Sequence, residues 1–575
     1  MSDVKKPFGI DLGTTYSAIA HLAPRNNRPE VIENREGDRT TPSVIVFDPS
    51  GEIIVGRDAK YEAVLNPDCV VEMVKRYMGV PGWKRTVGGE ERTPEQLSAL
   101  ILQKLATDAC EATGTVVEDV VITHPAYFTE VERTATKTAG QIAGLNVLTL
   151  VEEPVAAAYA YSMSGEEDLG DSVLVYDLGG GTFDACIISV SPAGEGKDIR
   201  VRVTKGERTL GGKDWDARIL GYALGEFSAQ TGIDLDAYST GAMGEDGTVR
   251  YAELLQELTG RVEEAKITLS NKPRARIPVS FAETRTTIDL YRSSADRPEG
   301  ASAPSFDELT ADLLLRTIDL TREAIDQARD TGIDRIDTVL LVGGSSKMPQ
   351  VRAAVADLVG FEPRLFEPDL AVAKGAALVA TRAEIWTDTT PAPLDGQPPA
   401  TPVEVDLEEA KKRGDSLGLS GSTVIELGDT NFRTISSHSL GVVAVDDSTT
   451  PSTYRVDHII LAQTPLPCTE TQTYGTYDEG QMSVVIDVKE GESEEPEDCI
   501  DLGQVELTLP RPMPRGTPIE VTFTLDKEGL FTVSGFQPDT GAVVSAPVKR
   551  PATMSDDEIA AATASHSRSI QQMRD

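Results

Sequence analysis

Cysteine is scarce in this chain: there are five in 575 residues, odd in number, widely spaced and without a Cys-x-x-Cys pair. That pattern argues against a disulfide framework or a structural zinc site and suits a reducing compartment. Histidine is as sparse, five residues with no close spacing, which argues against a transition-metal centre. No run approaches the roughly 18 consecutive apolar residues of a membrane span, and Asp11 interrupts any leader-like apolar core almost at once. Positive charge is also in deficit, with 54 Lys and Arg against 93 Asp and Glu, a net charge of −39. Such a chain repels a polyphosphate backbone, and Lys411-Lys412-Arg413 is the one short basic cluster, so nucleic-acid binding is not expected. The acidic excess reads as solubility, with adaptation to a salty cytoplasm as a further reading. These absences leave a multidomain protein of the cytoplasm as the expectation.

What is present suffices for a large folded interior. Thirty-nine per cent of residues are apolar, and the length corresponds to about three to four domains of roughly 150 residues. Residues 1–384 read as α/β. Short apolar runs at Val117–Thr123, Ser172–Asp177, Ala185–Val190 and Thr338–Val342 alternate with amphipathic segments at 95–112, 129–143, 251–270 and 306–331. Residues 385–434 change texture. TTPAPLDGQPPATP, then EEAKKRGD and a Gly/Ser patch, predict a Pro-rich acidic linker. Between 435 and 554, runs such as TYRVDHIIL, MSVVIDV, GQVELTL, IEVTFTL and LFTVSGF, parted by Gly-bearing turns, predict a small antiparallel β-sandwich. Residues 555–575 turn helical, with Ser555 as N-cap and Glu558 three residues on.

The most informative feature is an internal echo: FGIDLGTT at Phe8–Thr15 and LVYDLGGGTFD at Leu174–Asp184. Each is an apolar strand ending in Asp-Leu-Gly, then a small-residue turn, then a second apolar strand. Gly13 and Thr14 in one turn, and Gly179, Gly180 and Gly181 in the other, can bring backbone N–H groups against phosphate oxygens with no Cβ in the way. Thr14, Thr15 and Thr182 add hydroxyl donors. Asp11 and Asp177 at the strand ends suit a magnesium ion that keeps most of its waters. A third glycine turn stands at VLLVGGSS, 339–346. The P-loop pattern and the dinucleotide fingerprint are both absent. Two α/β halves with a nucleotide between them are the expected arrangement.

With these turns stand GIDLGTTYSAIA, VKRYMG, PAYF, EEPVAAAYAY, LGGKDWD, EEAKITLS, LVGGSSKMP and EPDLAVAKGAA, followed by SLGV, LPRPMPRGTPIEVTFTLDKEGLFTVSG and MSDDEI. In that order they resemble the actin-like ATPase superfamily, specifically the 70-kDa heat-shock protein chaperone family, over nearly all of the chain except 385–434. The resemblance implies a two-lobed actin-like ATPase domain at 1–384, a peptide-binding β-sandwich at 435–554, and the start of a truncated helical lid at 555–575. It implies catalytic roles for Lys75 facing the γ-phosphate, Glu153 and Asp184 around the attacking water, and Asp177 and Thr182. Nucleotide contacts fall on Gly13, Thr14, Thr15, Tyr16, Gly179, Gly180, Gly181, Gly211, Gly212, Glu263, Lys266, Ser270, Gly343, Gly344, Ser345, Lys347 and Asp369. The metal falls on Asp11 and Asp177, mostly through water, and apolar peptide on Val442, Tyr474, Val484 and Ile486. Pro125 and Arg133 match a pair that relays nucleotide state.

The implied activity is ATP hydrolysis coupled to binding of unfolded or extended polypeptide. The implied ligands are ATP, ADP and Mg2+, with K+ as a further ion, and the implied partners are a J-domain co-chaperone and a nucleotide-exchange factor, with neither nucleic acid nor membrane. An alternative is a nucleotide-gated adaptor for one dedicated partner. It is motivated by the long linker, the short lid and Tyr477 where a small arch residue is usual. Lys347 stands where the family usually has an arginine stacked on adenine, so base stacking is expected to be weaker.

Overall fold

The structure, a computed structural model, describes residues 6–165, 169–240, 244–300, 303–388, 403–446, 453–527, 529–546 and 554–573. The echo between the two Asp-Leu-Gly segments proves to be a duplication of whole sheets. In the first lobe, strand Phe8–Asp11 runs parallel to Asp119–His124, which is parallel to Asn146–Glu152. On its other side it is antiparallel to Tyr16–Ala23, which turns back into Arg28–Val31. In the second lobe, Ser172–Leu178 takes the place of Phe8–Asp11. It is parallel to Thr338–Val342, with Arg364–Leu365 beyond, and antiparallel to Phe183–Ala193 and then Gly196–Glu207. Ser172–Leu178 is buried at every position, which is why it reads as an unbroken apolar run.

Two small-residue helices, Glu153–Ser162 and Ala371–Trp386, meet where the lobes join. A Cβ on Gly375 would lie 1.9 Å from the carbonyl oxygen of Ala156, and one on Gly9 would lie 2.0 Å from the amide of Ala377. Backbone rests on backbone there, so the alanine-rich composition is a packing requirement and larger side chains are excluded.

The predicted linker at 385–434 is largely folded. Helix Ala371–Trp386 runs on through Ile385, Thr387–Asp388 pairs antiparallel with Val403–Glu404, and helices Leu407–Ser416 and Gly421–Asp429 follow. Ala410, Leu417, Leu419, Val424 and Leu427 are buried in one core with Leu22, Val155 and Tyr159 of the α/β part. The Trp386 indole N–H donates to the Val424 carbonyl at 2.9 Å. Each helix is short and buries few apolar residues, so its periodicity is weak in the sequence. The legible signs are the N-cap side chains Asp406 and Ser420, each accepting from an amide three residues on. Residues 389–402 of the predicted linker lie outside the described residues. The chain leaves the α/β part through a short strand, Asn431–Arg433, which joins the edge of the second-lobe sheet parallel to Asp198–Arg200.

Two four-stranded antiparallel sheets follow. One runs in the order Thr453–Ile460, Leu440–Asp446, Gln481–Glu490, Ile500–Met513, the other Cys468–Gly475, Pro518–Leu525, Phe531–Gln537, Ala542–Ala546. Their inward side chains, among them Val488, Leu507, Phe523 and Val533, share one core. Cys468–Gly475 is invisible to apolar patterning because its TETQT stretch is exposed throughout.

The terminal helix, Asp556–Ile570, has the expected capping box of Ser555 and Glu558. It does not begin a lid over these sheets. It packs on helices Pro94–Thr113 and Glu130–Ile142 of the first lobe and sinks Ala562 into that core. Arg92 donates to the Ser569 hydroxyl at 3.2 Å, and the Ile53 amide donates to the Gln572 carbonyl at 2.8 Å. Local sequence specifies that a helix forms here, and the receiving apolar face on the first lobe decides where it goes. Among the described residues no helix is long and apolar enough to cross a membrane.

Candidate functional site

Both Asp-Leu-Gly turns open into one cleft of about 590 Å3 between the lobes. The first lobe supplies Asp11, Gly13, Thr14, Thr15 and Tyr16, joined by Lys75 and Glu153. The second supplies Asp177, Gly179, Gly180 and Thr182, with Gly343, Gly344 and Ser345 from the third turn. The turns touch: a Cβ on Gly180 would lie 2.2 Å from the Thr15 hydroxyl, and one on Gly181 2.4 Å from a Thr14 methyl. Close approach, rather than unusual dihedrals, is what demands glycine at these positions. Gly181, Gly211, Gly212 and Asp184 stand just behind the wall. The Gly212 amide donates to the Gly179 carbonyl at 2.9 Å, and Asp184 Oδ1 accepts from the Tyr127 amide at 3.0 Å.

At the centre, Lys75 Nζ lies 2.5 Å from Glu153 Oε1, the two side chains only 4% and 9% exposed. Burial, reinforced by the neighbouring Glu153 carboxylate, pushes Asp11 up to about 7. The same two causes hold Asp177 and Asp184 well above the usual carboxylate range. Among the described residues, Asp11, Glu153, Asp177 and Asp184 thus face a single lysine, a shortage of positive charge that a divalent cation bound to phosphate would fill. Among the described residues no group of three or more His, Cys, Asp and Glu side chains is placed to hold a metal ion by itself. The arrangement fits Mg2+ held through water and phosphate oxygens, and not a protein cage.

Toward the mouth of the cleft both lobes close on Glu263. The Tyr16 hydroxyl donates to it at 3.1 Å and Lys60 Nζ at 2.7 Å, from the first lobe, while Lys213 of the second lies 3.5 Å away. Burial would raise Glu263, but Lys213 and Lys60 bring it down to about 2. Lys266 donates to the Gly212 carbonyl at 2.9 Å and pairs with Asp216 at 2.8 Å, and the Ser270 hydroxyl donates to the Lys266 carbonyl at 3.3 Å. Lys60, Lys213 and Asp216 are absent from the sequence-based set. LGGKDWD carries two of them, but their partners Glu263 and Lys266 lie on a helix about 50 residues further along the chain.

Lys347 is ion-paired with Asp369, both half exposed at the cleft. Lysine offers no planar face to a base, so Lys347→Arg is expected to tighten ATP binding by roughly two- to fivefold, a stacking contribution of about 0.5–1 kcal/mol. Titration calorimetry of both proteins checks this, and an unchanged or weaker affinity would count against stacking at this position.

The family described as Hsp70 protein matches residues 7–87, 81–391 and 421–574. The chain belongs to the Hsp70 family. Chaperone protein DnaK from two strains of Halobacterium salinarum is 37% identical over 557 residues in each case, covering 96% of this chain and 77% of the relative. Hsp70 proteins are ATPases with a two-lobed actin-like nucleotide-binding fold, in keeping with the duplicated sheets and the cleft.

Of the four apolar residues expected along a peptide groove, Val442 and Ile486 are 4% and 3% exposed and belong to the core shared by the two C-terminal sheets. Alternation places them there: Ile486 and Val488 share the inward face of Gln481–Glu490, and Val442 pairs with Val488. Tyr474 and Val484 are half-buried at the edge of that core, and the Tyr474 hydroxyl donates to Asp457 at 3.0 Å. Pro125 and Arg133 lie beside the contact between the two parts of this Hsp70 protein. The Ser437 hydroxyl donates to the Ala126 carbonyl at 2.7 Å, and Arg133 donates to the carbonyls of Phe128 at 3.0 Å and Gly529 at 3.1 Å.

Proposed function

We propose that this Hsp70 protein is an ATP-dependent molecular chaperone of the cytoplasm. In it, nucleotide in the cleft controls the grip of a C-terminal β-sandwich on extended apolar polypeptide. The observation that carries the reading is the Lys75–Glu153 pair set between two duplicated glycine turns. In this reading the amides of Gly13–Thr15 and Gly179–Gly181 cradle the phosphates, Thr182 sits beside the γ-phosphate, and Lys75 faces the charge that develops there. Glu153 and Asp184 orient the attacking water. Asp11 and Asp177 would hold Mg2+, which would supply positive charge toward the phosphates, and K+ is a second ion to test. Glu263, Lys266 and Ser270 take the ribose and base edge, and Gly343–Ser345, Lys347 and Asp369 the base.

Leu440–Asp446 and Gln481–Glu490 pair with each other only at Leu440–Val442. An extended segment can add along the remaining edge, with Val484 and Tyr474 beside it. A J-domain co-chaperone and a nucleotide-exchange factor are the proposed partners. The ATPase unit in this reading runs to about residue 430 and the sandwich from 435 to 554.

Steady-state ATP hydrolysis, with and without an unfolded apolar peptide, tests the proposal on the full chain and on residues 1–430. Slow turnover that rises several-fold with peptide in the full chain alone is the expected result. Indifference to peptide in both would leave an ATPase whose second part answers to something else. The burial of Val442 and Ile486 favours a second reading, a nucleotide-gated adaptor for one dedicated partner. Binding across an array of apolar heptamers supports the chaperone, and silence across it supports the adaptor.

A further inference from the structure

The contact between the α/β part and the C-terminal sheets is rich in buried acid. Glu490 ends strand Gln481–Glu490, is 3% exposed, and accepts from the Glu130 amide with its two oxygens at 3.3 and 3.2 Å. Glu130 and Glu132, both buried, stand in the first turn of helix Glu130–Ile142 against it. Glu132 is held by Thr129 at 2.8 Å and Arg208 at 3.3 Å. At the other end of the contact the Thr434 hydroxyl donates to Glu152 Oε1, while Glu152 Oε2 is buried with no hydrogen-bond partner. The cation facing both Glu490 and Glu152 is Arg133, and its guanidinium is already committed to the Phe128 and Gly529 carbonyls. Among the described residues, two carboxyl groups therefore enter a buried contact without a cation of their own, a situation that disfavours the ionised form.

We propose that seating of the C-terminal sheets on the first lobe is proton-linked, with Glu490 as the positioning residue that docks in its neutral form. When the two parts separate, water reaches this carboxyl and it returns to the ordinary range. Burial in the docked form pushes Glu490 up to about 8 in spite of Arg133, the Glu130 and Glu132 carboxylates adding to the effect. Burial likewise pushes Glu152 up to about 7, with Thr434 and Arg133 opposing. A docked value above the ordinary 4.5 means that docking takes up a proton between about 4.5 and 8. Its contribution is fully present below that window and is lost as pH rises through it.

His438 works in the opposite direction. Its ring packs against Tyr127 with centroids 4.4 Å apart, near Glu492, Arg133 and Arg208, and burial lowers it below the ordinary 6.5. Its contribution is lost as pH falls, so the range above pH 6.5 reports the carboxyl groups. The inference goes beyond the chaperone reading, because docking can be measured without any activity or client.

The test is small-angle scattering with amide exchange at Glu130–Ile142, on the full chain at saturating ATP and fixed salt, from pH 6.5 to 8.5, with exchange rates corrected for intrinsic pH dependence. The docking constant is expected to fall roughly five- to tenfold from pH 7 to pH 8. In Glu490→Gln, whose neutral amide keeps the acceptor, docking should persist across the range with the fall reduced to about twofold, the part owed to Glu152, and circular dichroism should show an intact fold. A wild-type docking constant flat or rising with pH, an equal fall in Glu490→Gln, or a Glu490→Gln chain undocked throughout would each overturn the proposal.

Discussion

Replacing Lys75 by alanine is expected to lower kcat for ATP hydrolysis by about 10²–10³ while leaving nucleotide affinity nearly unchanged. The lysine is buried against Glu153 at 2.5 Å, beside the buried carboxyl groups of Asp11, Asp177 and Asp184. In the resting site it pairs with Glu153. In the proposed mechanism it faces the phosphoryl oxygens of the transition state, where charge redistributes, and only that difference would accelerate the reaction. In the proposed mechanism the nucleotide would keep the glycine-turn amides and the Glu263 end of the cleft, so its binding would have other supports. The substitution also leaves Glu153 buried without its cation, which is expected to destabilise the nucleotide-free protein by about 3–5 kcal/mol. Single-turnover hydrolysis, titration calorimetry and thermal unfolding separate these effects. A large loss of affinity with intact kcat would sink the role given to Lys75.

Ending the chain at residue 384 instead of 430 is expected to cost the α/β part most or all of its stability. Leu417, Leu419, Val424 and Leu427 are buried in the same core as Tyr159, Val155 and Ile385. Each such side chain contributes about 1.5–3 kcal/mol, so four of them amount to about 6–12 kcal/mol, comparable with the entire stability of an ordinary domain. The cut also removes the Trp386–Val424 hydrogen bond and the edge strand Asn431–Arg433. Thermal and urea unfolding of residues 1–384 and 1–430 decide the matter. Equal midpoints would mean that the two helices are an appendage and that the linker reading holds after all. The peptide-coupling experiment should accordingly use the longer fragment, since loss of turnover in the shorter one would report unfolding.

Much of the site is legible in the sequence because it is built from local features. An aspartate at a strand end followed by a glycine turn specifies its own geometry, and the duplicated turns do converge on one cleft. Thr338–Val342 coincides with its predicted range, and the neighbouring strands differ by a few residues at most. Lys60 escapes because lobe closure brings it onto Glu263, and Lys213 and Asp216 escape because the packing of two second-lobe helices sets them against Glu263 and Lys266. The paired Glu490 and Glu130 escape for a similar reason. Each is an unremarkable surface acid until the two parts of the chain are placed together.

By itself the sequence determined the elements whose signals lie within one turn or one strand: the apolar strands, the phosphate-cradling turns, the capping box at Ser555 and Glu558, and the order of motifs that marks the family. Only the tertiary structure decided which residues count as core, where the short helices at 407–429 belong, and that the terminal helix rests on the first lobe. The physical reason is that a short helix with few apolar residues gains little from its own hydrogen bonds. Its place is set by the complementary apolar surface that receives it.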